Sequence, residues 1–196
     1  MTAAETSNQD PLEFLAVDLP DPGEHQEPWE ALARQAVDPN PFFAPDFVLP
    51  FLKYMGPSSV RLCVVRGKTS GTWHMAAPIG PRRLGFLTPA ISGWATHYGP
   101  VGTPLLSPGA PDGTGETFLE AVAKISGRPM IAFPFLPIES AAAKQLKNTT
   151  WTTRMVHPEE RAAHAGGSEP SLPPVISQSR QGTPVCGEKS EYGGIQ

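Results

Sequence analysis

TGETFLEAVAKISGRPMIAFPFL, residues Thr114 to Leu136, decides the fold class. Phe118, Leu119, Val122 and Ile125 fall on one face of a 3.6-residue repeat, so Thr114–Ser126 is predicted as an amphipathic helix. Gly127 suits the left-handed position just past its end. Met130 to Leu136 is apolar and too short for a second helix of that kind, so it reads as a buried strand. A helix followed at once by a buried strand is the signature of an α/β protein.

On the C-terminal side, Pro137–Lys147 reads as another helix, with Glu139 near its positive end and Lys144 and Lys147 near its negative end. Trp151, Thr153 and Met155 alternate and predict a last strand reaching Val156. From Gly166 onward, Gly, Pro and Ser supply 15 of 31 residues, and no helical or strand period survives. Residues 165–196 are therefore expected to be a disordered tail.

On the N-terminal side, residues 88–112 form a long Gly- and Pro-rich loop, and Leu84–Leu87 is a short strand before it. Val60–Val65 and Thr72–Ile79 are two apolar runs around a polar turn and predict a hairpin. Gly67-Lys68-Thr69 within that turn echoes a phosphate-binding loop, but Leu62 stands where the motif needs glycine. Trp29, Leu32, Ala33 and Ala36 mark a first helix, stopped by Asp38-Pro39-Asn40-Pro41. A second helix is expected from Pro45, with Phe47, Val48, Phe51, Leu52 and Met55, a kink at Pro50 and an end at Gly56. Leu15, Val17 and Leu19 alternate on a first strand, and residues 1–11 are polar and expected to be disordered. The fold class is α/β: a mixed sheet flanked by helices, in one domain over residues 12–160.

Composition bounds the function. The formal net charge is -4. Seven acidic residues and no basic one lie between Met1 and Glu27, Arg34 is the first basic residue, and no strongly basic stripe exists, which excludes the usual nucleic-acid footprint. Absence of a basic leader and of an apolar run near the length of a bilayer argues against export and membrane insertion. Cys63 and Cys186 do not make a disulfide framework, so the cytoplasm is the expected compartment. His25, His74, His97, His157 and His164 show no metal-ligand spacing, and no metal site is assigned. His74 is expected to be a satisfied or exposed sheet residue.

Three segments carry a resemblance. Trp29-Glu30-Ala31-Leu32-Ala33 is similar to the first-helix signature of the acetyltransferases associated with cellulose biosynthesis, the CelD/BcsL-like family of GNAT type. Asp38-Pro39-Asn40-Pro41-Phe42-Phe43-Ala44-Pro45-Asp46-Phe47 resembles that family's entry to its second helix, with Phe47 where the family has Trp. Tyr98-Gly99-Pro100-Val101-Gly102-Thr103-Pro104-Leu105-Leu106 resembles its Gly-Pro loop. The likeness spans residues 13 to 160.

The resemblance implies one GNAT-like lobe, in a family that has two, and transfer of an acyl group from acyl-CoA to an amine or sugar acceptor. In that family the acyl-CoA site belongs to the second lobe, where consecutive backbone N–H groups cradle the diphosphate. Arg180-Gln181-Gly182-Thr183-Pro184 is the nearest text to such a cradle, but its glycine is misplaced and Pro184 lacks a donor. No cofactor-binding or catalytic residue is therefore assigned. Little independent transferase activity is expected, and the tail is expected to be out of frame with an ancestral second lobe. An uncovered apolar face would favour association. The best candidate pocket is the loop holding Trp94, His97 and Tyr98, whose rings suit a sugar or acyl face. The competing reading is that Trp94 and Tyr98 cover the sheet edge. A non-catalytic carbohydrate- or protein-binding module is the alternative function.

Overall fold

The computed structural model describes residues 10–56, 59–84, 88–128 and 130–155. The predicted disordered ends, His157, His164, Cys186 and the 180–184 segment lie outside the described residues, apart from Asp10 and Pro11.

The chain runs β1 (Leu12–Asp18), α1 (Gln26–Gln35), α2 (Pro45–Met55), β2 (Arg61–Gly67), β3 (Trp73–Leu84), β4 (Thr88–Gly93), β5 (Leu105–Leu106), α3 (Thr114–Ser126), β6 (Ile131–Ala132) and α4 (Ala141–Lys147). The described strands form a six-stranded sheet in the order β1-β2-β3-β4-β6, with β5 also on β3. Pairs β1–β2, β2–β3, β3–β4 and β3–β5 are antiparallel. β4 and β6 are parallel, Ile91 opposite Ile131 and Ser92 opposite Ala132, and α3 is the crossover between them. This is the mixed sheet flanked by helices that the periodicities imply.

Helices cover both faces because successive strand residues alternate sides. α3 lies over the face of Cys63, Ile79 and Ile91, with Val122 and Ile125 toward them. α2 lies over the other face, where Phe51 meets Trp94, itself beside Gly80. Trp29, Leu32, Phe43, Val48, Leu62, Val64, Met75, Leu105, Phe118 and Val122 are fully buried between these layers. The β2–β3 turn is tied down from outside. Asp10 accepts hydrogen bonds from the Thr69 and Ser70 N–H groups, both at 2.9 Å. Gly67-Lys68-Thr69 is thus part of a hairpin turn.

Several boundaries differ from the sequence reading. β3 continues through Leu84, and the rest of the strand expected over Leu84–Leu87 lies outside the described residues. The next strand is β4, inside the stretch read as loop, and β5 lies there too. β6 is only two residues long, and Phe135, at φ 57°, keeps the line from running extended to Leu136 as expected. α4 starts at Ala141, where Ser140 caps it by accepting from the Ala143 N–H, so Glu139 precedes the helix. α2, by contrast, keeps the expected bounds, with Pro50 inside it. Trp151–Met155 form no strand: Trp151 N–H bonds back to Thr149, and Thr150 is held by Glu116. Glu116 of α3 thus ties down the segment after α4. His74 is buried, and its Nδ1 has no hydrogen-bond partner, contrary to the expectation of a satisfied or exposed residue.

Candidate functional site

The three resembling segments, far apart in sequence, meet in one place. Trp29 donates its indole N–H to the Phe43 carbonyl at 2.9 Å, with both residues fully buried. Asn40 closes the short turn before α2 by accepting from the Phe42 N–H at 3.1 Å. Its amide nitrogen also reaches across to the third segment, donating to Thr103 O at 2.8 Å and Val101 O at 3.1 Å. Gly99 packs against Phe42 and Phe47 so closely that a methyl group there would come within 3.1 Å of the Phe42 Cβ.

An aromatic row grows out of this junction. Phe42 meets Phe47 edge-on at 5.2 Å between ring centroids, and Phe47 stacks on Phe51 at 5.7 Å. Phe51 then takes Trp94 edge-on at 5.0 Å and Tyr98 at 5.9 Å. Spacing of four residues puts Phe47 and Phe51 on one side of α2, while Val48 and Leu52 face the core. Trp94 is half-buried, whereas Tyr98 is 67% exposed.

The turn Thr96–Gly99 presents Tyr98 and His97. It is closed by paired backbone bonds between Thr96 and Gly99, at 3.2 and 3.1 Å, and by the Thr96 hydroxyl. The structure therefore brings Trp94 and Tyr98 together around Phe51. His97 lies elsewhere, with its exposed ring 6.3 Å from that of Phe135. No carboxylate among the described residues hydrogen-bonds to His97, so it has no orienting partner of the kind a nucleophile-activating pair shows. Sequence reading singled out Trp94, His97 and Tyr98 as a pocket candidate and did not include Phe51 or Asn40. The four-residue repeat of aromatics on α2 was the available signal for Phe51.

Acyl-CoA, which the resemblance implies for the family, needs a helix start whose N–H groups face open space and whose surroundings tolerate a diphosphate. α3 is the helix that follows the parallel strand β4. Gly113 caps it at φ 86° with open space beside it. Gly115 in its first turn abuts the Gln145 carbonyl of α4, leaving no room on that side. Asp112 and Glu116 place two carboxylates at this end, and Glu116 is already bonded to the Thr150 N–H at 2.8 Å and to its hydroxyl. The groups at this helix start do not fit a diphosphate.

Cys63, the described cysteine, is buried under α3, and burial pushes its thiol up to about 12. It is not a nucleophile at neutral pH. Desolvation holds the His74 imidazole below its usual range, opposed in part by the Asp10 carboxylate.

No protein-family model matches the sequence, and no curated protein matches it either. Among solved structures, the chain is similar to an aminoglycoside N-acetyltransferase, AAC(6')-Iy in complex with CoA. Identity is 13% and the TM-score 0.46, over 80% of this chain and 99% of that one. A ribosomal-protein-alanine N-acetyltransferase from Brucella melitensis biovar Abortus 2308 is similar at 11% identity and TM-score 0.45, over 76% and 99% of the two chains. A GCN5-related N-acetyltransferase from Ralstonia eutropha JMP134 is similar at 16% identity and TM-score 0.38, over 76% and 99%. No helix among the described residues is long and apolar enough to cross a membrane.

Proposed function

We propose that the chain is an acyltransferase-type lobe of GNAT character, serving transfer of an acyl group to an amine or sugar acceptor in polysaccharide metabolism. Its part is to present acceptor-side surface, and its own turnover is little or none. One observation supports the reading above others. The segments around Trp29, Asn40 and Gly99, which resemble the cellulose-associated acetyltransferases, are bonded and packed to one another as a unit. Acyl transfer to an amine or hydroxyl needs the acceptor held in place and its proton removed. The Trp94–Phe51–Tyr98 surface offers ring faces for an apolar or sugar face of the acceptor. The groups at the α3 start do not supply a grip on the thioester donor's diphosphate.

Purified chain incubated with acetyl-CoA, a thiol reagent and a panel of amines and amino sugars tests the reading. The expected result is thiol release at the uncatalysed background for every acceptor. Robust turnover by the chain alone would refute the assigned division of labour.

The second reading, a non-catalytic carbohydrate- or protein-binding module, is favoured by Tyr98, an exposed ring continuing a packed aromatic row. Melting temperature separates the two. A rise with oligosaccharide and none with acetyl-CoA favours the module.

A further inference from the structure

β4 has an antiparallel neighbour, β3, on one side and a parallel neighbour, β6, on the other. In open α/β sheets, ligands bind in a crevice outside the carboxyl ends of the parallel strands. Here that crevice opens past Gly93 and Ala132.

Gly93 is the last point at which the two lines still touch, a methyl there meeting Phe133 at 3.3 Å. Trp94 and Ala95 then turn away, their N–H groups donating to Pro78 O and Gly93 O. The chain returns at Val101. Gly102 lies between the diverging lines. Its N–H donates to Phe135 O at 3.1 Å. A methyl on Gly102 would run into the Pro134 carbonyl on one side and come within 3.4 Å of the Ala95 methyl on the other. Only glycine fits that gap. From Gly102 to Leu106 the chain is buried, and β5 then takes over the edge of β3 that β4 left.

Asn40 holds this segment from the opposite side. One buried side-chain amide serves both Val101 O and Thr103 O, while its oxygen takes the Phe42 N–H. Aspartate cannot make this arrangement, because it has no donor for the two carbonyls when ionised.

We propose that Val101–Thr103 is a strap filling the crevice at the carboxyl ends of β4 and β6, that Asn40 is its latch, and that the strap keeps an extended ligand such as the arm of acyl-CoA out of this lobe. The identity of the excluded ligand rests on the acyltransferase-type reading. The strap itself does not.

Amide exchange on the full chain, with and without millimolar acetyl-CoA, tests this. The Gly102 amide should exchange on the order of a hundredfold slower than that of Gly109, whose N–H bonds only to the neighbouring Ser107 hydroxyl in an exposed turn. Acetyl-CoA should leave exchange across residues 101–103 and 133–135 unchanged. In Asn40→Ala, Gly102 exchange should speed up about tenfold or more while Val64 in β2 stays protected. Gly102 exchanging as fast as Gly109 in the unaltered chain overturns the strap, and that arm needs no variant to fold. Slowing of exchange at 101–103 or 133–135 by acetyl-CoA overturns the exclusion. An unchanged Gly102 rate in Asn40→Ala overturns the latch. A failed acyltransferase reading would instead show in the thiol-release assay and would leave these rates as they are.

Discussion

Trp29 reaches from α1 to the Phe43 carbonyl, and both residues are fully buried. The bond joins the first helix to the turn that launches the second. The carbonyl belongs to a short 3-10 segment, Pro41–Phe43, where the indole N–H gives it a partner. Replacing Trp29 by Phe keeps an aromatic ring but removes the donor and leaves a small void. The expected cost is roughly 2–4 kcal/mol, from an unsatisfied buried carbonyl plus lost packing. Urea unfolding of the purified variant measures it, and a loss below about 0.5 kcal/mol would mean the bond contributes little.

A second long-range tie acts on α4. The Asp38 carboxylate accepts from the Ala141 N–H at 2.7 Å, alongside the Ser140 hydroxyl that accepts from Ala143. Negative charge at a helix start is favourable, and the first N–H groups have no partner within the helix. Asp38→Asn should weaken the tie slightly, and Asp38→Ala should cost about 1 kcal/mol and speed exchange of the Ala141 amide. Equal exchange in Asp38→Ala and the unaltered chain would refute the tie.

How much of this was legible depends on whether the cause is local. α3 was readable to the residue, because Phe118, Leu119 and Val122 repeat on one face and Gly127 takes φ 64° after it. The β2–β3 hairpin was readable for a similar reason, two apolar runs around a polar turn. β4 was not. Thr88, Pro89, Ser92 and Gly93 have no strand pattern, and their extended form comes from lying between β3 and β6. The stop at Asn40 was read correctly as a helix end, but its work lies 61 and 63 residues away, at Val101 and Thr103. No periodicity encodes such a bond. Of the candidate site, the aromatic loop was visible by composition, whereas the separation of His97 from Tyr98 depends on the turn at Thr96–Gly99.

Cys63 gives a test of core integrity. Its thiol, pushed up to about 12 by burial, should resist labelling by a thiol reagent at pH 8 in the native chain and react once urea unfolds it. The linked stability follows a definite sign. The folded value lies above the unfolded 9.0, so the contribution is present below pH 9 and is lost as pH rises from there toward 12. Cys63→Ala should therefore show a smaller decline in unfolding free energy between pH 9 and 10.5, about the range over which the unfolded thiol ionises. An identical decline in both proteins would contradict the burial of the thiol.

His74 has the opposite pH dependence. Desolvation lowers its folded value below the usual 6.5, with the Asp10 carboxylate opposing the shift. A lowered histidine is neutral in the folded chain while the unfolded chain still takes up a proton. Stability from this group is therefore full above 6.5 and falls as pH drops from 6.5 toward the lowered folded value, below which it changes no further. Its Nδ1 has no partner, so removing the imidazole forfeits no hydrogen bond from that atom. His74→Gln should flatten the dependence of unfolding free energy on pH just below 6.5 relative to the unaltered chain. The His74 imidazole resonances of the native chain should also titrate below those of an unfolded peptide. An imidazole titrating at or above 6.5 in the folded chain, or a variant with the same pH slope, would show that His74 is not held neutral by burial.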